Sequence, residues 1–171
     1  MQYISEAYKE LGDEDKALEY NQQYMDKNPN AAPTDFMKLA EIYVNKAKKD
    51  PAKKVENIDK AIGVYAKLAE KYPTLKPFAK LQEGNTAFQN ELDDKAIAAY
   101  TEVINELEAK QCDEDELSYL KTSYQYMGFI YTYDKQDFDT AKPYWDKLLK
   151  LDPQNKLAND AYEKAGLKPG E

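Results

Sequence analysis

The sequence predicts an all-α chain of antiparallel helix hairpins arranged as a repeat array, and three observations carry that prediction. Apolar residues recur three and four apart along nearly the whole chain, the spacing of one helical face. The 6 glycines and 8 prolines fall mostly between these periodic segments. An alanine also returns at matching places in every second helix: Ala17, Ala61, Ala96 and Ala141.

The first helix runs from about Gln2 to Leu11, with Ile4, Ala7, Tyr8 and Leu11 on one face and Gly12 at its end. Asp13 caps the second helix, which packs through Ala17, Leu18, Tyr20, Tyr24 and Met25 and stops at Asn28-Pro29. Thr34 to Ala47 forms the third, carrying Phe36, Leu39, Ala40 and Tyr43. The lysine-rich stretch that follows reads as a helix start: Asp50 is the N-cap and Pro51 takes the first helical position, where its missing N–H costs nothing. From there Val55, Ile58, Ala61, Ile62, Tyr65, Leu68, Ala69 and Tyr72 keep one pattern until Pro73, a single helix of about 20 residues.

Pro77 opens the next helix, patterned by Phe78, Leu81, Gly84, Ala87 and Phe88, and its partner from Asp93 uses Ala96, Tyr100, Val103, Ile104 and Leu107. Asp113 and Glu116 have capping-box spacing ahead of a helix with Leu117, Leu120, Tyr124, Met127, Gly128, Ile130 and Tyr131. A turn over Asp134 to Asp137 leads to Phe138, Ala141, Tyr144, Trp145, Leu148 and Leu149, closed by Asp152-Pro153. Pro143 lies near the start of that helix and removes at most one hydrogen bond. A last helix, Leu157 to Ala165, ends at Gly166, a C-cap residue. The recurring alanines are 44, 35 and 45 residues apart. A period of about 34 residues fits once extra helical turns are allowed near Pro51 and Leu117.

These residues resemble the tetratricopeptide repeat family over essentially the whole chain. Its pattern of a small residue, a tyrosine three on, an alanine twelve on, then an aromatic, an apolar residue and a proline is carried by several sets. Ser5, Tyr8, Ala17, Tyr24 and Pro29 match in the first repeat, with Asn21 in place of the aromatic. Ala40, Tyr43, Ala61, Tyr65, Leu68 and Pro73 match in the second. Gly84, Ala96, Tyr100 and Val103 match in the third, and Gly128, Tyr131, Ala141, Trp145, Leu148 and Pro153 in the fourth. The resemblance implies a right-handed superhelical solenoid forming one domain over 1–171, with repeats at about 1–30, 33–73, 77–110 and 114–153 and a capping helix over 156–166. It suggests a bacterial member or a fragment of one, because the sequence begins inside a helical repeat; the compartment, cytoplasm or periplasm, stays open.

The resemblance also implies a concave groove lined by the first helix of each hairpin. Glu6 and Lys9 face it in the first repeat; Met37, Glu41 and Val44 in the second; Leu81, Asn85 and Phe88 in the third; Gln125, Phe129 and Thr132 in the fourth, with Phe78 and Tyr133 alongside. Such a surface of apolar and amide groups suits an extended or helical peptide. The expected function is therefore a non-catalytic scaffold for an unidentified protein or peptide. The alternative is a structural or self-associating segment of a longer repeat protein. With acidic Glu6 and Glu41 in the groove, a lysine-arginine clamp for a peptide carboxylate is not expected.

Composition bears on the other classes. The chain has 24 lysines, no arginine and 32 acidic residues, a net charge of -8. An acidic, arginine-free protein repels phosphates, so no nucleic-acid partner is expected. No histidine is present, which removes His-based catalysis and zinc proteases. The acidic run Asp113 to Glu116 lacks the spacing of a calcium loop. No metal, no cofactor and no enzymatic activity are expected. Cys112 beside that run should have a raised pKa, unlike an activated nucleophile. No signal peptide and no membrane insertion are expected from the apolar pattern.

Overall fold

The computed structural model describes residues 2–169, apart from the side chains of Gln2 and Asp26. Met1, where the first expected repeat begins, lies outside them. The chain divides into two compact units. The first, residues 1–90, holds α1 (Gln2–Glu10), α2 (Glu14–Lys27), α3 (Pro33–Lys49), α4 (Lys54–Lys71) and α5 (Lys76–Phe88). The second, residues 91–171, holds α6 (Asp93–Glu108), α7 (Glu114–Phe129), α8 (Phe138–Leu151) and α9 (Lys156–Ala165). The division at Asn90 falls inside the third expected repeat.

In the first unit each helix packs on the next in the chain. Gly12 turns α1 into α2 with a positive φ of 74°, and the Asp13 carboxylate accepts from the Lys16 amide at 3.2 Å. Where the helices cross, the buried Ser5 hydroxyl donates to the Ala17 carbonyl at 2.8 Å and accepts from the Asn21 side chain. That polar link explains why Asn21 stands where the family pattern has an aromatic. Pro33 begins α3, and the Asp35 carboxylate reaches back to the Ala32 amide at 2.8 Å. The long fourth helix expected from Pro51 is present but opens with a 3₁₀ turn, Pro51–Lys53, capped by the Asp50 side chain on the Ala52 amide at 3.1 Å. Phe36, Leu39, Ala40, Tyr43, Ala61, Val64, Tyr65 and Leu68 form the core between α3 and α4. The Tyr72 hydroxyl donates to the Ala31 carbonyl at 2.7 Å, tying the end of α4 to the start of α3.

In the second unit α7 packs on α6, α8 and α9. Its capping box forms as expected: the Asp113 carboxylate accepts from the Glu116 amide at 2.9 Å, and the Glu116 carboxylate from the Asp113 amide at 3.3 Å. After Phe129 the chain does not turn at once. It adds one wide π turn, Ile130–Asp134, before Gln136 reverses direction at a φ of 55°. The π turn carries the Thr132 hydroxyl to the indole N–H of Trp145, which donates to it at 2.9 Å. Trp145 is wholly buried, so this bond satisfies a donor that water does not reach. Gly128 is required beneath it: a Cβ there would stand 2.5 Å from the indole ring. Helix α9 starts at the Asn155 cap and ends at Gly166, whose φ of 70° is the left-handed conformation expected of a C-cap glycine. Pro143 sits on an exposed position of α8 and leaves the helix continuous. Among the described residues no helix is long and apolar enough to cross a membrane.

Candidate functional site

A groove in the first unit is built by the outward faces of α3 and α5. Thr34, Met37, Lys38, Glu41 and Val44 recur three and four apart on α3, while Gln82, Asn85 and Gln89 do so on α5. Tyr65 and Thr86 lie at its base, and together these residues enclose about 510 Å³. Burial raises the pKa of the Tyr65 hydroxyl, which is hydrogen-bonded to Thr86, so it enters the groove as a neutral group.

The charges of the groove are cancelled from α1. Glu6 accepts from Lys38 at 3.2 Å, and Lys9 lies 3.6 Å from Glu41. Glu6 and Lys9, expected as groove residues themselves, thus act as counterions to α3. All four side chains are about half exposed, so the pairs set charge balance more than stability. The groove thus presents amide and hydroxyl side chains beside Met37 and Val44.

Of the residues expected to bind, Met37, Glu41, Val44 and Asn85 line this one groove. Leu81 does not join them: it is 6% exposed and belongs to the interior. Phe78 packs against the core of the unit, and Phe88, at the last position of α5, is not among the groove-lining side chains. Gln82 and Gln89 escaped the sequence reading. They lie three before and four after Asn85, so the helical repeat applied to Asn85 was the signal that finds them.

In the second unit the expected residues are engaged by the last helix and its cap. The Gln125 side-chain carbonyl accepts from Asn155 at 3.2 Å. Phe129 packs on Tyr133 with ring centroids 4.8 Å apart, and the Lys164 ammonium stands 4.6 Å over the Tyr133 ring. Thr132 is committed to Trp145.

Among the described residues no three His, Cys, Asp or Glu side chains gather in a way that would hold a metal ion. Cys112 is a half-buried thiol that donates to the Leu107 carbonyl at 3.3 Å. Burial and the neighbouring Glu116 carboxylate push its pKa up, the direction opposite to nucleophile activation.

The hairpin geometry and its packing residues agree with a comparison against known families. Residues 1–31 and 36–74 match the model of the tetratricopeptide repeat. Over those residues the chain carries tetratricopeptide-type repeats. Its fold is the all-α helix-hairpin repeat, and solved structures share it. The human IFIT1 dimer with PPP-AAAA aligns at a TM-score of 0.60 and 17% identity, over 95% of this chain and 36% of that one. Monomeric IFIT1 mutants with Gppp-AAAA and with m7Gppp-AAAA each align at 0.59 and 16%, with the same coverage. The chain thus spans 36% of the length of these structures, and the likeness at this identity is one of fold. No curated protein sequence matches it. A bacterial source finds no support among these matches.

Two expectations are corrected here. A peptide or protein ligand was inferred from the repeat fold, and nucleic acid was excluded on charge. The same fold holds PPP-AAAA and its capped forms in the IFIT1 structures, so the fold gives no ground for choosing a peptide. The charge argument fails for a separate, local reason. Residues 1–90 carry 14 lysines and 14 carboxylates, so the whole excess of eight negative charges lies in residues 91–171. The groove of the first unit is set in a chain segment of zero net charge.

Proposed function

We propose that the first unit is a non-catalytic binding module whose groove between α3 and α5 takes the bases of a single-stranded nucleic acid. The observation that carries this is the charge-cancelled, amide-lined surface: Gln82, Asn85 and Gln89 in a row on α5, facing α3. A primary amide presents a donor and an acceptor side by side, the arrangement that pairs with the edge of a nucleobase. Single-stranded nucleic acid exposes those edges, whereas a duplex hides them. The fold likeness to IFIT1 with PPP-AAAA supports the choice of ligand class. Lys38 is the one lysine lining the groove and it is already paired, so bases rather than phosphates supply the binding energy in this reading.

Fluorescence anisotropy with labelled tetra-adenylate tests it. Binding should be saturable and should fall about tenfold when Asn85 and Gln82 are both changed to alanine, as expected for the loss of one to two hydrogen bonds. Its dependence on salt should be shallow, with a log–log slope no steeper than about -0.7, the value for a single phosphate contact on a single strand. An abasic tetramer that binds as well as tetra-adenylate would sink the proposal. So would a steep salt slope, which would place the contacts on the phosphates.

A further inference from the structure

A second cleft in the first unit opens on the opposite side of α3, between α2 and α4, and encloses about 410 Å³. Its floor is Phe36 and Leu39 from α3 with Val64 from α4, and one rim is a line on α4 running Lys60, Gly63, Lys67 and Lys71. Two features of that rim lack an explanation inside the protein.

The first is Gly63. It occupies the middle of an 18-residue helix, where glycine is the least favourable residue after proline. Close packing usually accounts for such a glycine, as Trp145 accounts for Gly128. Here nothing does: a Cβ at Gly63 would meet no atom within 4 Å. The missing side chain leaves free volume at the mouth of the cleft, which is what a ligand approaching the helix backbone requires.

The second is the lysine pair. Lys60 is bonded to Glu56 at 2.5 Å and is already neutralised. Lys67 and Lys71 lie one turn apart, about 6 Å along the axis. Neither forms an ion pair among the described residues, and Lys71 instead stands 5.7 Å over the Phe36 ring and 5.8 Å over that of Tyr72. Two like charges at this spacing repel each other, and an anion between them relieves the repulsion.

We infer that this cleft is a binding site for a small amphiphilic anion, its carboxylate or phosphate held between Lys67 and Lys71 and its aliphatic tail laid past Gly63 over Leu39 and Val64. The floor favours an acyl tail over a nucleobase. The Lys71 ammonium already stands over the Phe36 ring where a base would stack, and Gln22 is the one amide on the rim to read a base edge.

Calorimetric titration of the full chain with dodecanoate, kept below its micelle-forming concentration, tests this. Saturable one-to-one binding is expected, weakened at least tenfold in Lys67→Gln/Lys71→Gln. Gly63→Leu should abolish it while circular dichroism shows unchanged helicity. Gly63→Ala, which cannot disturb packing, should weaken it severalfold. The inference is overturned if dodecanoate does not bind, if dodecanol binds as well as dodecanoate, if ATP binds more tightly, or if the lysine and glycine variants bind like the parent.

Discussion

Gly63 and Gly128 both stand inside helices, and their surroundings are opposite. At Gly128 the indole of Trp145 occupies the place a Cβ would take, so Gly128→Ala forces either the ring or the helix to move. Overpacking of this kind costs about 1–3 kcal/mol. Trp145 is the chain's single tryptophan, so its emission reports the displacement directly. We expect a lower urea midpoint together with a red-shifted emission maximum, and an unshifted spectrum would show that the contact relaxes elsewhere. Gly63 has open space, so Gly63→Ala gains helix propensity with no steric cost. It should raise stability by about 0.5–1 kcal/mol. A fall in the urea midpoint would mean that the backbone at Gly63 is held in place by something other than helix geometry.

Hairpin turns and the caps beside them set the next scale. Gly12 and Gln136 each take a left-handed φ just before an aspartate cap, Asp13 or Asp137. Glycine adopts that conformation freely, whereas glutamine does so at a cost of about 1 kcal/mol. Gln136→Gly should therefore stabilise the second unit by a few tenths to about 1 kcal/mol, the gain being reduced by glycine's larger unfolded-state entropy. A differential-scanning midpoint below that of the parent would contradict this. A second test concerns Glu108, which joins three helices by accepting from Tyr124 of α7 and from Lys147 of α8 at 2.6 Å. Burial raises its pKa, but the bonds from Lys147 and Tyr124 outweigh it and hold the carboxyl below its usual range. A carboxylate held low in the folded state adds stability above the ordinary value of 4.5, and that stability is lost as pH falls through the lower folded value. Glu108→Gln should cost up to about 1 kcal/mol at pH 7, a figure kept small because both charged groups are partly exposed. The difference between parent and variant in urea midpoint should shrink as pH is lowered below 4.5. At this scale the sequence was most legible. The Asp113–Glu116 box, the Asp50 cap and the Gly166 stop all follow from local chemistry and were readable as such. The π turn was not, because the contact that accompanies it is distant in sequence, the indole N–H of Trp145 donating to the Thr132 hydroxyl.

At the scale of the whole molecule, composition misled where pattern did not. The family, the hairpins and the interior positions of Ala17, Ala61, Tyr100 and Trp145 were legible because each depends on periodicity. Leu81 was misplaced because one register position was asked to face both groove and core. The ligand class was misread because a net charge of -8 was treated as a property of every surface, when it resides in residues 91–171 alone. That partition has a measurable consequence. Lengthwise segregation of charge means that salt acts on the two units differently. Between ionic strengths of about 0.01 M and 0.1 M the screening length falls from about 30 Å to 10 Å. In residues 1–90, attraction and repulsion are screened together and nearly cancel. In residues 91–171, eighteen carboxylates face ten lysines, so screening removes mainly repulsion. Native-state hydrogen exchange should therefore show the slowest amides of α6–α8 gaining protection as salt is raised, with those of α3–α5 little changed. Equal gains in both units would mean that salt acts by a route other than the screening of net charge, because screening weakens ion pairs such as Lys147–Glu108. Loss of protection in α6–α8 would reverse the sign and refute the partition.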